Sequence, residues 1–203
     1  MKGNKGFTLV EMAIVLVIIG VILGAVIKGQ DLIAGAKEKK FKSEIDQLAT
    51  AYYTYFDKYS RVPGDDNTAA ARWSTGTAAT NGNNDGQIAT ATEVANDTGA
   101  LDHLRRAGLL TDVVSNTDQP FNSTTMPGVN IRFGSGTAAA WASSSAVNLL
   151  IITGMSAEDM LLFDTKYDDG VATTGKIRGV SAATAGTVQA YTTANCLLAY
   201  SVR

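Results

Sequence analysis

From Phe7 to Ile27 the chain reads FTLVEMAIVLVIIGVILGAVI, 21 residues with Glu11 as the only charge. At about 1.5 Å per helical residue such a run predicts a helix ~32 Å long, enough to cross the hydrocarbon core of a bilayer. Past Ile27 the pattern turns from uniform to periodic. Phe41, Ile45, Leu48, Tyr52, Phe56 and Tyr59 recur at spacings of 4, 3, 4, 4 and 3, an apolar stripe on a continuing amphipathic helix. No proline occurs before Pro63, and VPGDD is where the helix yields to a turn. From Asp65 to Thr98 periodicity disappears, with Trp73 and Ile88 as the only large anchors, and a loop is expected. LDHLRRAGLL then predicts a short helix with Leu101, Leu104, Leu109 and Leu110 as its contacts, Gly108 as its break, and Arg105 and Arg106 at the surface.

The C-terminal half alternates β-rich runs with Gly, Ser, Thr and Asn. VNIRF (Val129 to Phe133), VNLLIIT (Val147 to Thr153), KIRGV (Lys176 to Val180), TVQAYT (Thr187 to Thr192) and CLLAYSV (Cys196 to Val202) read as strands. Between them Ser156 caps a helix with Glu158 and Asp159 in its first turn and Met160, Leu161, Leu162 and Phe163 as its apolar part. The expectation is an α+β fold: a long N-terminal helix packed through its aromatic stripe against a mostly antiparallel sheet. The aromatics Phe41, Tyr52, Tyr53, Tyr55, Phe56 and Tyr59 are read as packing for that contact rather than as an electron path.

The apolar run is too long for the core of a secretory signal peptide, about 7–15 residues, and lacks a small-x-small cleavage site. A plain anchor does not account for Glu11, because a carboxylate in a bilayer costs about 2.5–3.5 kcal/mol and demands a partner. The span contains no Lys, Arg or His.

Lys5, Gly6, Phe7, Thr8, Leu9, Val10 and Glu11 form KGFTLVE, which resembles the processing signature of type IV pilins and of the pseudopilins of type II secretion. The resemblance implies cleavage between Gly6 and Phe7 by a prepilin peptidase and N-methylation of Phe7. It also implies that Glu11 pairs with the Phe7 amine of a neighbouring subunit during assembly. The domains expected are a leader at 1–6, a transmembrane and filament-core helix at 7–27, an amphipathic spine at 28–59 and a globular head at 60–203. Many pilins carry a helix-breaking proline where this chain has Lys28. Gly20, Gly24, Gly29 and Gly35 are the weak points here, and a melted or stretched segment between Gly20 and Gly29 is expected in a filament, with close helix packing in the membrane as the alternative role of these glycines. VPGDD, Trp73, NGNNDGQI and LDHLRRAGLL together resemble a recurring head pattern of prepilin-like proteins, a less specific likeness.

Charge sets orientation. Lys2 and Lys5 precede the span and place the leader in the cytoplasm, although Lys28, Lys37, Lys39, Lys40 and Lys42 dilute that bias. The resemblance, which puts leader cleavage on the cytoplasmic face, resolves the conflict and implies the inner membrane, leader inside and head periplasmic, followed by an extracellular pilus or a periplasmic pseudopilus. Partners implied by the resemblance are further copies of the chain, the peptidase and an inner-membrane assembly platform. A net charge of -2 across 203 residues makes nucleic acid no default partner. The single cysteine, Cys196, excludes an intrachain disulfide, a departure from the many pilins that close a C-terminal loop with one.

Two segments invite calcium. Asn81, Asn83, Asp85 and Gly86 follow the opening of a calcium-loop template, although its bidentate position falls on Thr92 with Glu93 one place late; a metal-free Asx-Gly turn fits the same residues. Asp164, Asp168 and Asp169 before Gly170 are the densest acidic cluster of the head, and a solvated turn is the alternative there. The resemblance adds that some secretion pseudopilins stabilise a disulfide-free head with calcium. The sole histidine, His103, has no second histidine to make a zinc site. With no nucleophile elbow, phosphate loop or paired histidines, the chain reads as a non-enzyme. Its function is read as a pilin that polymerises through its N-terminal helix, with a type II secretion pseudopilin or a minor or tip subunit with a ligand-binding head as alternatives.

Overall fold

A computed structural model describes residues 6–74, 79–88, 99–111, 120–136, 147–181, 190–191 and 196–201. Helix α1 spans Leu9–Tyr59 without interruption in the monomer. The chain divides into two compact units, Met1–Lys40 and Phe41–Arg203. In the first, every residue from 6 to 28 is exposed, and the helix is long and apolar enough to cross a membrane.

In the second unit α1 turns one face inward. Phe41, Ile45, Leu48, Ala51, Tyr52 and Tyr55 are buried, so the stripe advances by 4, 3, 4 and 3 and ends on Tyr55. The expected Phe56 is 46% exposed, whereas Tyr55 is 0% exposed. Adjacent aromatics made the register ambiguous. The phenol decides it, because Tyr55 reaches a buried hydrogen-bond partner that Phe56 lacks.

After α1 come α2 (Ala69–Arg72), α3 (Ala100–Arg106) and α4 (Ala157–Tyr167), with strands β1 (Phe121–Asn122), β2 (Asn130–Gly136), β3 (Val147–Thr153), β4 (Ile177–Ser181) and β5 (Cys196–Ser201). The strands form one sheet in the order β1-β2-β3-β5-β4, and every pairing is antiparallel. Ile131 pairs with Ile152 and Phe133 with Leu150, and all four side chains are buried, so one face of the β2–β3 pair supplies core. The stripe of α1 meets that face, with the rings of Tyr52 and Phe133 stacked at 5.8 Å. The α+β reading holds. The strand expected over Thr187 to Thr192 lies mostly outside the described residues, and the two that are described, Ala190 and Tyr191, are not in a strand. Two short elements went unforeseen, α2 within the polar stretch and β1.

Helix α3 ends as its sequence required. Gly108 adopts φ 74°, and the N–H of Leu109 donates back to the Leu104 carbonyl at 3.0 Å, a Schellman closure. Arg105 is buried, not at the surface, and Arg106 donates to Asp102 at 2.6 Å. On α4, Ser156 caps through its hydroxyl, accepting from the Asp159 N–H at 3.1 Å. Met160 and Phe163 are buried, but Leu161 and Leu162 face outward. Four consecutive apolar residues cannot share one face of a helix, since successive positions turn by about 100°.

Candidate functional site

The start of α1 holds a feature that the sequence displays but spacing arguments passed over. Thr8 and Glu11 make a capping box. The Thr8 backbone N–H and hydroxyl donate to Glu11 Oε2 at 2.7 and 2.8 Å. The Glu11 N–H donates back to Thr8 Oγ1 at 3.2 Å. Among the described residues Glu11 thus has the neutral donors of Thr8, and it sits four residues after Phe7, beside the expected cleavage point. Gly6, Phe7 and Thr8 precede the helix in irregular backbone.

Residues 1–27 match the family model of the prokaryotic N-terminal methylation motif. The chain carries the type IV pilin and pseudopilin signature. No curated protein matches the chain, and no solved structure does. The signature supports a pilin-like or pseudopilin precursor, and such precursors belong to a family of structural subunits.

In the head, the loop proposed for calcium is built to hold an anion. The N–H groups of Asn84, Asp85 and Gly86 all donate to the carboxylate of Asp65, that of Gly86 at 2.7 Å. Asp65 is almost fully buried. Backbone N–H groups converging in this way form an anion nest. Gly82 allows the close approach, because a Cβ there would lie 2.2 Å from the Asp65 Cα. Asn81 Oδ1 accepts from the Ala70 N–H at 2.8 Å, and Asp85 Oδ1 accepts from Gln87 N–H at 2.9 Å. Asn83 Nδ2 donates to Asp85 Oδ2 at 2.9 Å. These bonds order the oxygens of Asn81 and Asp85 within the loop. Thr92 and Glu93 lie outside the described residues.

Asp66, next in VPGDD, accepts from Tyr55 Oη at 2.7 Å, from the Thr68 N–H and hydroxyl, and from Arg72. Burial pushes the Asp66 carboxyl up, but the bonds from Arg72, Thr68 and Tyr55 outweigh it and hold it below the usual carboxylate range. Sequence reading singled out neither aspartate for a role. The signal was present in VPGDD, two adjacent carboxylates in a turn that follows the apolar stripe of α1.

The second calcium candidate is assembled. Asp164, at the end of α4, and Asp168 and Asp169, just beyond it, each offer an oxygen within 4.8 Å of the others. Asp164 Oδ2 accepts from Tyr191 Oη at 3.1 Å, while its Oδ1 is buried without a hydrogen-bond partner among the described residues. Burial pushes the Asp164 carboxyl up, against the Tyr191 bond, and the neighbouring Asp169 adds to the rise. Asp168 Oδ2 accepts from the N–H groups of Lys176 and Ile177. Gly175 lies so close that a Cβ there would meet this oxygen at 2.0 Å. Asp169 accepts from Thr174 Oγ1 and from the Val171 N–H. These bonds fold residues 168–177 into a tight loop around three carboxylates, with one buried oxygen still open.

Cys196 opens β5.

Proposed function

We propose that the protein is a pilin-like subunit held in the inner membrane by residues 7–27, cut between Gly6 and Phe7, methylated on Phe7 and assembled with further copies into a type IV pilus-like filament. The observation that carries this reading is the methylation motif at the head of a long helix, in a segment whose residues 6–28 are all exposed. An apolar surface of that extent needs lipid before assembly and neighbouring helices after it. A platform in the same membrane would pass the subunit from one to the other.

Glu11 supplies a reason for the transfer. In one chain it has the dipoles of Thr8, whereas a neighbour's Phe7 amine offers a full positive charge. In a low-dielectric setting an ion pair with good geometry outweighs neutral donors. Filaments purified from cells should contain the chain in many copies. Glu11→Ala should abolish them while leaving processed subunit in the membrane; normal filaments from Glu11→Ala would overturn the pairing. A chain found at one copy per filament would instead favour the minor or tip subunit, and a requirement for it in protein secretion would favour the pseudopilin.

The head is further read as holding one calcium ion at Asp164, Asp168 and Asp169, on the strength of the buried, unpartnered Asp164 oxygen. Two oxygens on one calcium lie at most about 5 Å apart, which the carboxylate spacing satisfies. The ion would satisfy that oxygen and offset the repulsion among three carboxylates. Calcium added to chelator-treated protein should raise its melting midpoint, and Asp164→Asn should remove the response. An unchanged midpoint in wild type would leave the loop metal-free.

A further inference from the structure

We propose that His103 is a pH-sensitive latch that holds the VPGDD turn and the 79–88 loop closed while its imidazole is neutral. His103 is fully buried on α3, and both ring nitrogens are committed to backbone groups far away in sequence. The Gly64 N–H donates to Nδ1 at 2.9 Å, and Nε2 lies 2.8 Å from the Thr80 carbonyl. A backbone N–H can only donate and a carbonyl can only accept. The ring is therefore the neutral tautomer with its proton on Nε2. A second proton would have to go to Nδ1, where it would face the Gly64 N–H and leave that donor without an acceptor.

What the ring holds is one connected assembly. Gly64 precedes Asp65, whose carboxylate gathers the N–H groups of Asn84, Asp85 and Gly86. Thr80 lies in the same loop as the buried Ile88, whose N–H donates to Asn148 Oδ1 of β3 at 3.0 Å. The imidazole is packed with Tyr55 of α1 at 6.1 Å and Trp73, just after α2, at 6.0 Å. No water-facing side of the ring exists to receive a proton without opening the assembly.

The charged groups around the ring pull both ways. Asp66, in the turn, and Asp102, on α3, favour the protonated form, and Arg106, on α3, opposes it. Arg72 of α2 is tied to Asp66 and to Tyr55 Oη, which spends much of the Asp66 charge. Burial is the largest influence and lowers the affinity of His103 for a proton. A histidine held neutral in this way stabilises the closed form above the ordinary histidine value of 6.5, and that stability is lost as pH falls through its lower folded value. The opened form frees Asn84, Asp85 and Gly86 and uncovers Trp73 and Tyr55, a local opening rather than global unfolding.

His103 is the only histidine in the chain, so its ring resonances need no assignment by mutation. The full chain in detergent micelles should be titrated from pH 8 to 4.5 by NMR, following the imidazole nitrogens together with amide exchange corrected for its intrinsic pH dependence. We expect the Nε2–H tautomer at pH 8, a ring midpoint below 6.5, and exchange at Gly64 and Asn84 to Gly86 rising at least about threefold through that same midpoint. In a Trp141→Phe background Trp73 emission should change with the same midpoint. His103→Gln should flatten both responses. A ring midpoint at or above 6.5, or loop amides that do not respond through it in the wild-type chain, would overturn the latch whether or not the Gln variant folds.

Discussion

Glu11 and Glu44 lie on the same helix, α1, yet the first sits where every neighbouring apolar side chain faces outward and the second is buried under three hydroxyl groups. Ser123, Thr124 and Thr125 donate to the Glu44 carboxylate at 2.6, 2.6 and 2.7 Å, which fastens the β1–β2 connection to the helix. Among the described residues Glu11 has the cap provided by Thr8. The contrast teaches that one helix serves two solvents. Where it belongs to the head its polar groups are satisfied within the chain, and where it is apolar all round its one carboxylate is left able to exchange partners. A satisfied carboxylate stabilises a fold; an exchangeable one can drive assembly.

The sharpest break of that comparison comes from the aromatic face. Tyr55→Ala should lower head stability by about 3–5 kcal/mol, the usual cost of removing a buried aromatic, and should leave Asp66 without its phenol. Phe56→Ala, one residue on, should stay within about 0.5 kcal/mol, as exposed substitutions do. Urea unfolding of both variants would test the observed register, and equal losses would refute it.

Glu44→Ala comes next. Three hydroxyls that donate to a buried carboxylate would lose their acceptor, a loss of about 3 kcal/mol, with the apolar N-terminal segment unaffected. Unfolding of the head read by near-UV circular dichroism is the measurement, and a change below about 1 kcal/mol would mean that water replaces the carboxylate freely.

Acidification has a smaller effect with a sign that can be worked out group by group. His103, lowered, contributes stability above 6.5 that is lost as pH falls. Asp66, also lowered, contributes above its ordinary 3.8 and loses it only in stronger acid. Asp164 is raised, so its contribution is present in acid and is lost as pH rises through its folded value. Asp164→Asn should therefore raise the melting temperature of the metal-free protein at pH 7, and in that variant, free of the opposing contribution of Asp164, the melting temperature should fall between pH 7 and 5 through His103. A melting temperature flat from pH 7 to 5 in the variant would remove His103 from the account.

Much of this was legible in the residues because the signals were strong. A 21-residue apolar run, a proline-free stretch up to Pro63 and a Ser156 cap ahead of Glu158 and Asp159 each allow one structure. What escaped depended on choices between neighbours. Tyr55 or Phe56, and Met160 or Leu161, differ by one position on a helix, and only tertiary packing selects the inward one. The NGNNDGQI loop shows a different gap. Oxygen-bearing side chains at alternate positions suggested a cation, but the backbone N–H groups, invisible to a composition argument, converge on Asp65. At the N-terminus the TLVE capping box could have been read from spacing alone, since Thr three residues before Glu is its signature.

That capping box gives the smallest and most local test of the two-solvent view. Thr8→Ala removes the hydroxyl that accepts from the Glu11 N–H and donates to its carboxylate. The expected cost is about 1 kcal/mol at the helix start, the typical value of an N-cap, seen as roughly fivefold faster amide exchange at Glu11 in micelles. The head should melt as before, because residues 6–28 contribute nothing to its core. If Glu11 holds the Thr8 donors only until a neighbour's amine replaces them, filaments should still form from the variant, whereas Glu11→Ala should not assemble. Loss of assembly in Thr8→Ala as severe as in Glu11→Ala would mean that the cap itself, rather than the exchange of partners, is what assembly requires.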